Sequence, residues 1–275
     1  FLVMMLYAGI ASTLNFELLL QPRDYISSFN LYGALGLGLL GLLITHPTIN
    51  APAFTGFTGS KGPLWPMLFI LVACGAVSGF HSLVSGCTTS KQLAKETDAK
   101  PVAFGGMLLE GLLAAMTLLL AATAFFWSKE SAPAGAMIFA DVYEEGWVVV
   151  FGRSFGKSVS DMLPFLGYGI ASLIGMITIK TFILTTLDSA TRITRFIVQE
   201  TAGKKVSWLG NKYIALAACL VPAFVLGMTN SWKAIWPMFG ASNQLVAALA
   251  LFVVSTYLLG IKKPTVYTTV PAVFM

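Results

Sequence analysis

Charged side chains are scarce in this sequence. Asp, Glu, Lys and Arg make up 11% of the 275 residues, which is under half of the roughly 25% usual in soluble domains. Hydrophobic residues account for 56% of the chain and form long runs between the charges. This composition excludes an ordinary soluble domain and predicts a protein that lies in a membrane.

Cysteine and histidine are also rare, with three Cys and two His residues. Cys74, Cys87 and Cys219 form no CxxC pair and show no zinc-ligand spacing, so neither a disulfide framework nor a metal site is indicated. The net charge of +5 comes from Lys and Arg residues that apolar runs separate. We therefore expect no nucleic-acid partner and interpret the positive charge as membrane topology.

Apolar runs that approach the roughly 20 residues needed to cross a bilayer recur along the chain. They predict an all-α, polytopic membrane protein with about seven transmembrane helices in a single membrane domain, residues 1–275. The candidate spans are Phe1–Leu14, Leu31–Ile44, Pro63–Val84, Phe104–Phe126, Leu163–Leu184, Tyr213–Met228 and Leu245–Leu259. Residues 127–160 are expected to form an external loop with an interfacial or re-entrant stretch. Because the first span begins abruptly, without Met or a basic segment, we expect N-terminal sequence to be absent.

Lys and Arg are unevenly distributed between alternate connections. Most of them, including Arg23, Lys204 and Lys205, fall in one alternating set, whereas the other set includes Lys61 and Lys233. By the positive-inside rule the richer set faces the cytoplasm. This distribution predicts an outside start and a cytoplasmic C-terminus.

Polar side chains line one face of the third predicted span. Ser78, His81, Ser82 and Ser85 recur at steps of three and four residues, beside several glycines. The glycine density around residues 78–82 predicts local unwinding of the helix. Alternatively, the hydroxyls bond back to their own helix and the glycines only pack. For the stripe as a whole we favour a polar cavity within the membrane.

A second polar stripe ends the fifth predicted span. Its hydroxyl and carboxylate oxygens are of the type that Na⁺ needs, and a carboxylate can instead carry a proton. These residues are candidates for cation coupling: Thr185, Thr186, Asp188 and Ser189. Alternatively, Asp188 pairs with Arg192, which lies one helical turn further along.

Two further segments interrupt the helical pattern. Residues 45–52 contain two prolines and Asn50, so their backbone groups need partners outside a helix. Residues 236–244 lead into the last span, where the amides of Asn243 and Gln244 either cap the helix or face a cavity.

Several of these runs closely resemble the signature of the carbon starvation protein A (CstA) family. The matching runs are residues 73–82 (ACGAVSGFHS), 85–93 (SGCTTSKQL), 96–99 (ETDA), 22–25 (PRDY), 47–48 (PT), 105–110 (GGMLLE) and 236–244 (WPMFGASNQ). The resemblance covers nearly the whole chain, in order. It implies a multi-pass carrier of the bacterial inner membrane that takes up peptides or pyruvate during carbon starvation.

The resemblance also implies a LeuT-like core, which consists of two five-helix repeats inverted in the membrane. In that core the third predicted span would be the broken sixth helix and the fifth span would be the eighth. Family members are longer, so the first helices of the core would lie in missing N-terminal sequence or in a partner chain. The chain departs from many members at Cys87, where a smaller or hydroxyl residue is expected.

Residues 185–190 (TTLDSA) are similar to the segment that completes the sodium site in sodium-solute symporters of the same core. This likeness implies that Thr186 and Ser189 would be cation ligands.

The predicted function is secondary active transport by alternating access, coupled to H⁺ or Na⁺. Amides and hydroxyls of the unwound span would hold a substrate carboxylate, because half-helix N-termini carry partial positive charge. His81 would bond the anion, take up the symported proton or satisfy a neighbouring carbonyl. No catalytic residue is expected, and no cofactor apart from Na⁺. The predicted partners are a small carboxylate and the lipid bilayer, and the candidate substrate-binding residues are Ser78, His81, Ser82, Ser85, Asn50 and Asn243.

Two other classes of function remain open, a membrane redox subunit and an intramembrane hydrolase. His46 and His81 would be the axial ligands of a haem in a membrane redox subunit, which a Soret band would reveal. An intramembrane hydrolase would use Ser82 with His81, although adjacent helix positions point about 100° apart. A carrier, unlike an enzyme, returns its substrate chemically unchanged.

Overall fold

The computed structural model describes residues 2–59, 62–130 and 132–275. Only the backbone is described for residues 69–71, 73, 74, 76, 232, 233 and 237. Lys61, which contributes to the predicted orientation, therefore lies outside the described residues, as do the side chains of Cys74 and Lys233.

Helices dominate the described chain, and their apolar composition explains why. The helices are α1 (Leu2–Thr13), α2 (Phe16–Thr45), α3 (Leu64–Ala76), α4 (Gly79–Cys87), α5 (Ala99–Ala124), α6 (Phe139–Glu144), α7 (Trp147–Met162), α8 (Tyr168–Thr201), α9 (Lys212–Met228), α10 (Trp232–Gly260) and α11 (Val266–Phe274). A short antiparallel pair, β1 (Thr58–Gly59) and β2 (Gly62–Pro63), precedes α3. In lipid, a helix satisfies its backbone hydrogen bonds internally, so long apolar runs adopt this form.

Four segments of the described chain are long and apolar enough to cross a membrane. They are residues 16–45, 96–124, 168–201 and 234–260, while α1 and α9 are apolar but shorter. Large apolar side chains on these helices are exposed, such as Leu118 at 71% and Val253 at 69%. The predicted all-α, multi-pass membrane class is confirmed, and the count of about seven spans stays a prediction.

Several predicted boundaries differ from the observed helices. α2 begins at Phe16 instead of Leu31, so Arg23 lies inside a helix and not in a loop. α8 continues to Thr201, and the predicted external loop at 127–160 contains α6 and most of α7. Hydropathy underestimates these helices because it ends a span at charged residues, which a helix retains when they are paired or exposed.

The third predicted span is two helices. α3 ends at Ala76 and α4 begins at Gly79, with Val77 and Ser78 between them outside the helices. The predicted unwinding in this glycine-rich stretch is confirmed.

The chain forms two compact units. The first unit contains residues 1–13, 56–94 and 189–275, and the second contains residues 14–55 and 95–188. Helix α8 contributes residues to both units.

In the second unit, α2, α5, α7 and the first part of α8 surround an apolar core. Its buried residues are Ala34, Leu35, Met116, Leu120, Phe151, Phe155, Val159 and Ala171. Glycines allow close approach of these helices, since Gly156 of α7 faces Ser172 of α8 and Gly41 of α2 faces Ser158 of α7. Such small residues drive helix packing in lipid, where the hydrophobic effect does not.

In the first unit, α10 is the central helix, because α3, α4 and α11 pack against it. The hydroxyls of Ser255 on α10 and Thr268 on α11 lie 2.7 Å apart and form a hydrogen bond. Helix α1 packs against α9, where a Cβ at Gly9 would lie 3.3 Å from Leu220 Cδ1. Helix α10 therefore positions the broken helix pair.

Replacing Gly156 with Ala tests the close packing of α7 on α8. The new Cβ would lie 2.7 Å from the Cα of Ser172, and such overpacking costs about 1–3 kcal/mol. We expect Gly156→Ala to lower the melting temperature of the purified protein in detergent by several degrees. Gly111→Ala is the control, because nothing lies within 4 Å of its added Cβ. Equal melting temperatures for the two variants would contradict the packing described here.

Candidate functional site

The candidate substrate site begins at the break between α3 and α4. Ser78 has extended backbone angles, φ −96° and ψ 129°, and precedes the first residue of α4. Its Oγ accepts a hydrogen bond from the backbone N–H of His81 at 3.4 Å. Serine is favoured at this position because its oxygen replaces a missing helical acceptor. Ser78 is therefore the N-cap of α4.

Asn243 of α10 binds the same turn from outside. Its Oδ1 accepts hydrogen bonds from the backbone N–H of Phe80 at 2.8 Å and from Ser78 Oγ at 3.2 Å. Because a backbone N–H can only donate, this contact fixes which end of the amide faces α4. Both side chains are buried, with 5% of Asn243 and 8% of Ser78 exposed. The N-terminus of α4 is thus bound to α10.

Gly79 makes this close approach possible. A Cβ at this position would overlap the backbone carbonyl oxygen of Asn243 and lie 2.7 Å from the backbone nitrogen of Ala247. Backbone atoms of α10 cannot move aside without breaking helical hydrogen bonds. The contact between α4 and α10 therefore requires glycine.

Capping also determines which groups remain available to a ligand. The backbone N–H groups of Phe80, His81 and Ser82 already donate within the protein, the last to the Ser78 carbonyl at 3.2 Å. This differs from the expectation that amides of the unwound span are free to hold a carboxylate. The buried Nδ2 of Asn243, in contrast, has no hydrogen-bond partner among the described residues.

The other predicted residues of α4 differ in accessibility. His81 and Ser85 are exposed, whereas Ser82 is partly buried. Ser82 Oγ donates to the Gly79 carbonyl at 2.6 Å, so the alternative of bonding back to its own helix holds for this residue. The start of α4 brings Ser78, His81, Ser82 and Asn243 together, and Ser85 lies one turn further along.

Asn50 belongs to the second unit, where its side-chain and backbone N–H groups already donate hydrogen bonds. Its Nδ2 donates to the Thr123 carbonyl at 2.7 Å and its backbone N–H donates to the Ala122 carbonyl at 2.9 Å. These are carbonyls of the last turn of α5, which lack helical partners. The geometry gives Asn50 a structural role as an anchor of the 45–52 segment, and no contact supports its predicted substrate role.

Asp188 on α8 forms an ion pair with Arg23 of α2, in the second unit. The Asp188 side chain is fully buried, and Arg23 Nη2 also binds Asp24 Oδ1 at 2.7 Å. Arg192, the partner suggested by helical spacing, donates from Nη2 to the Ala11 carbonyl at 2.8 Å. Sequence spacing could not find Arg23, because most of the chain separates it from Asp188.

The hydroxyl groups predicted to bind a cation lie on the same helix. Thr185 Oγ1 donates to the Phe182 carbonyl at 2.6 Å, Thr186 is exposed and Ser189 is partly buried. Their role as cation ligands stays a prediction.

Removal of the Asn243 side chain tests the cap. Asn243→Ala deprives Phe80 and Ser78 of their acceptor, and losing a cap costs about 1 kcal/mol. We expect the amides of residues 79–87 to exchange with deuterium several-fold faster, as measured by mass spectrometry. Ser242→Ala removes an exposed neighbouring side chain and should leave the exchange unchanged. If Asn243→Ala exchanges like the wild type, Asn243 does not hold α4.

Comparison with known proteins identifies relatives along the whole chain. A family model described as Carbon starvation protein CstA matches residues 1–143 and 144–275. The peptide transporter CstA of Bacillus subtilis (strain 168) is 35% identical over 289 residues, which cover 93% of this chain and 48% of that protein. The peptide transporter CstA of Escherichia coli (strain K12) is 33% identical over an alignment of 318 residues, which spans 94% of this chain and 45% of that protein.

A relative with another named substrate is equally similar. The pyruvate/proton symporter BtsT of Escherichia coli (strain K12) is 32% identical over an alignment of 344 residues. The alignment spans 98% of this chain and 48% of that protein. The chain thus spans about half the length of the curated relatives it matches. No solved structure matches the chain. Since the family model covers it from end to end, the chain belongs to the carbon starvation protein CstA family.

Proposed function

We propose that this protein takes up a small carboxylate nutrient, a peptide or pyruvate, by secondary active transport with alternating access. The observation that carries the proposal is the helix broken at Val77 and Ser78 within an apolar, multi-pass chain. Secondary transporters bind substrates at such discontinuous helices, where polar backbone and side chains enter the membrane. The relatives are named as peptide transporters and as a pyruvate/proton symporter, and both kinds of substrate contain a carboxylate.

The proposed carboxylate site lies at the start of α4. A helix N-terminus carries partial positive charge, which favours an anion without requiring a buried cation. Asn243 Nδ2 is the proposed donor, since it is buried without a hydrogen-bond partner in the described chain. Leaving a buried donor unsatisfied costs about 1–3 kcal/mol, and a carboxylate oxygen would recover that cost.

A proton is the coupling ion that the site itself favours. His81 follows the cap of α4 by three residues, beside the proposed carboxylate site, and its side chain is exposed; histidine is the side-chain type best suited to carry a proton near neutral pH. Asp188, by contrast, is already engaged by Arg23. Coupling to Na⁺ through Thr185, Thr186, Asp188 and Ser189 is the alternative, and what favours it is the resemblance of residues 185–190 to a segment of sodium-solute symporters.

Asn243→Asp separates the cap from the proposed substrate contact. The carboxylate keeps an oxygen for Phe80 and Ser78, but it replaces the Nδ2 donor with a second acceptor that repels an anionic substrate. We expect uptake of labelled pyruvate or of a labelled dipeptide into membrane vesicles to fall at least tenfold. Deuterium exchange of α4 should stay close to that of the wild type.

Asn230→Asp is the matched control, because it makes the same change at an exposed position of the same unit. Its uptake and abundance in the membrane should equal those of the wild type. Wild-type uptake of both substrates by Asn243→Asp would remove Asn243 from the substrate site.

His81→Asn tests the proposed proton coupling. Asn keeps hydrogen-bonding capacity but cannot take up a proton in the physiological range. We expect an imposed proton gradient to no longer drive accumulation, while exchange of labelled for unlabelled substrate continues. His46→Asn, at the other histidine of the chain, should retain gradient-driven uptake. If His81→Asn accumulates substrate as the wild type does, and only when Na⁺ is present, coupling lies on α8 instead.

A further inference from the structure

The C-terminal part of α8 carries two arginines on one face. Arg192 and Arg195 are three residues apart, so their side chains are neighbours on the helix surface. Only 6% of Arg195 is exposed, and its buried Nε has no hydrogen-bond partner among the described residues. Among the described residues, Arg195 belongs to none of the observed ion pairs, for which the nitrogen and oxygen lie within 4.0 Å of each other.

The first unit has almost no negative charge with which to neutralise Arg195. Its sequence, residues 1–13, 56–94 and 189–275, contains ten Lys and Arg residues and a single acidic residue, Glu200. Glu200 is exposed near the end of α8. Burial of a cation without a counter-charge is strongly unfavourable in a membrane protein. The buried Arg195 charge therefore has almost no counter-charge within its own unit, which leaves it available to an anion from outside the chain.

Neutral groups contact both arginines and help to position their guanidinium groups. Arg192 Nη2 is held by the carbonyl of Ala11 at the end of α1. Arg195 Cζ lies 4.7 Å from the centre of the Phe196 ring. None of these neighbours removes the positive charge.

The connection between α8 and α9 has the composition of a membrane–water interface. Lysines and large aromatic side chains occur together on its exposed surface, as they do at the level of lipid headgroups. The exposed residues are Lys204, Lys205, Trp208, Lys212 and Tyr213. Gln199 Nε2 donates to the Gly210 carbonyl at 3.0 Å and so holds this connection against the end of α8.

Arg195 lies within reach of that interface. Six residues separate it from Thr201, the last residue of α8, which corresponds to about 9 Å along the helix axis. Lys and Arg side chains near the end of a membrane-spanning helix can extend their charged groups towards lipid headgroups. The buried positive charge and the interfacial belt thus occur at the same end of α8.

We propose that Arg195, together with Arg192, binds the phosphate group of an anionic phospholipid. The planar N–H groups of a guanidinium match two phosphate oxygens, which makes arginine well suited to this ligand. Lys204 and Lys205 add positive charge at the headgroup, and the half-exposed Phe196 ring offers an apolar surface to an acyl chain. The site is independent of the nutrient that the protein transports.

The test compares phosphatidylglycerol with phosphatidylcholine. Each lipid is added to the purified protein in detergent, and the melting temperature and the number of lipids retained in native mass spectrometry are measured. We expect phosphatidylglycerol to raise the melting temperature by several degrees more than phosphatidylcholine, with at least one lipid retained. Arg195→Gln should abolish this difference, whereas Lys263→Gln, at an exposed lysine of the same unit, should preserve it.

Three results with the wild type or with Arg195→Gln would overturn the proposal. The first is equal stabilisation of the wild type by the two lipids, and the second is an undiminished preference for phosphatidylglycerol in Arg195→Gln. The third is full stabilisation by inorganic phosphate alone, which would indicate a site for a free anion. If Arg195→Gln does not fold, Arg195→Lys keeps the charge but loses the two-pronged contact. It should show less than half of the wild-type lipid preference, and full preference would equally overturn the proposal.

Discussion

A helix that begins at a polar turn within an apolar chain needs acceptors for its first backbone amides. In this protein, Ser78 and Asn243 provide them for α4. Gly79 allows α10 to come close enough for Asn243 to reach, since any Cβ there would overlap the α10 backbone. The break between α3 and α4, and the substrate site proposed beside it, depend on this cap. The Oδ1 of Asn243 serves the cap, so its Nδ2 is the atom that we propose for the ligand.

Positive and negative charges are handled differently in the two units. In the second unit the fully buried Asp188 is paired with Arg23, so the cost of removing each charge from water is offset by its partner. In the first unit, Arg195 is buried where the sequence offers almost no acid. The same physical requirement is met within the protein for Asp188, and a lipid phosphate is our proposal for meeting it at Arg195.

Sequence patterns predict the break in the α3–α4 segment correctly, but they do not predict the ends of the helices or the partner of Asp188. The density of glycine and serine at residues 75–86 indicates the break at Ser78, because both residues lower the stability of a continuous helix. Hydropathy finds the apolar centres of α5, α8 and α10 but places their ends wrongly, since it cannot tell whether a charged residue will be paired. The Arg23–Asp188 pair escapes helical spacing, which relates only residues three or four positions apart.

Composition and local pattern alone determine that this chain is helical, has the composition of a membrane protein and belongs to the CstA family, because these properties depend on hydrophobicity and on contiguous residues. The tertiary structure decides which polar groups remain available. Asn50 Nδ2 and the backbone N–H of Phe80 donate hydrogen bonds at helix ends. In the described residues, Asn243 Nδ2 and Arg195 Nε have no hydrogen-bond partner. Whether a polar group finds a hydrogen-bond partner depends on residues that are distant in sequence and come into contact only after folding. It therefore cannot be inferred from the order of residues.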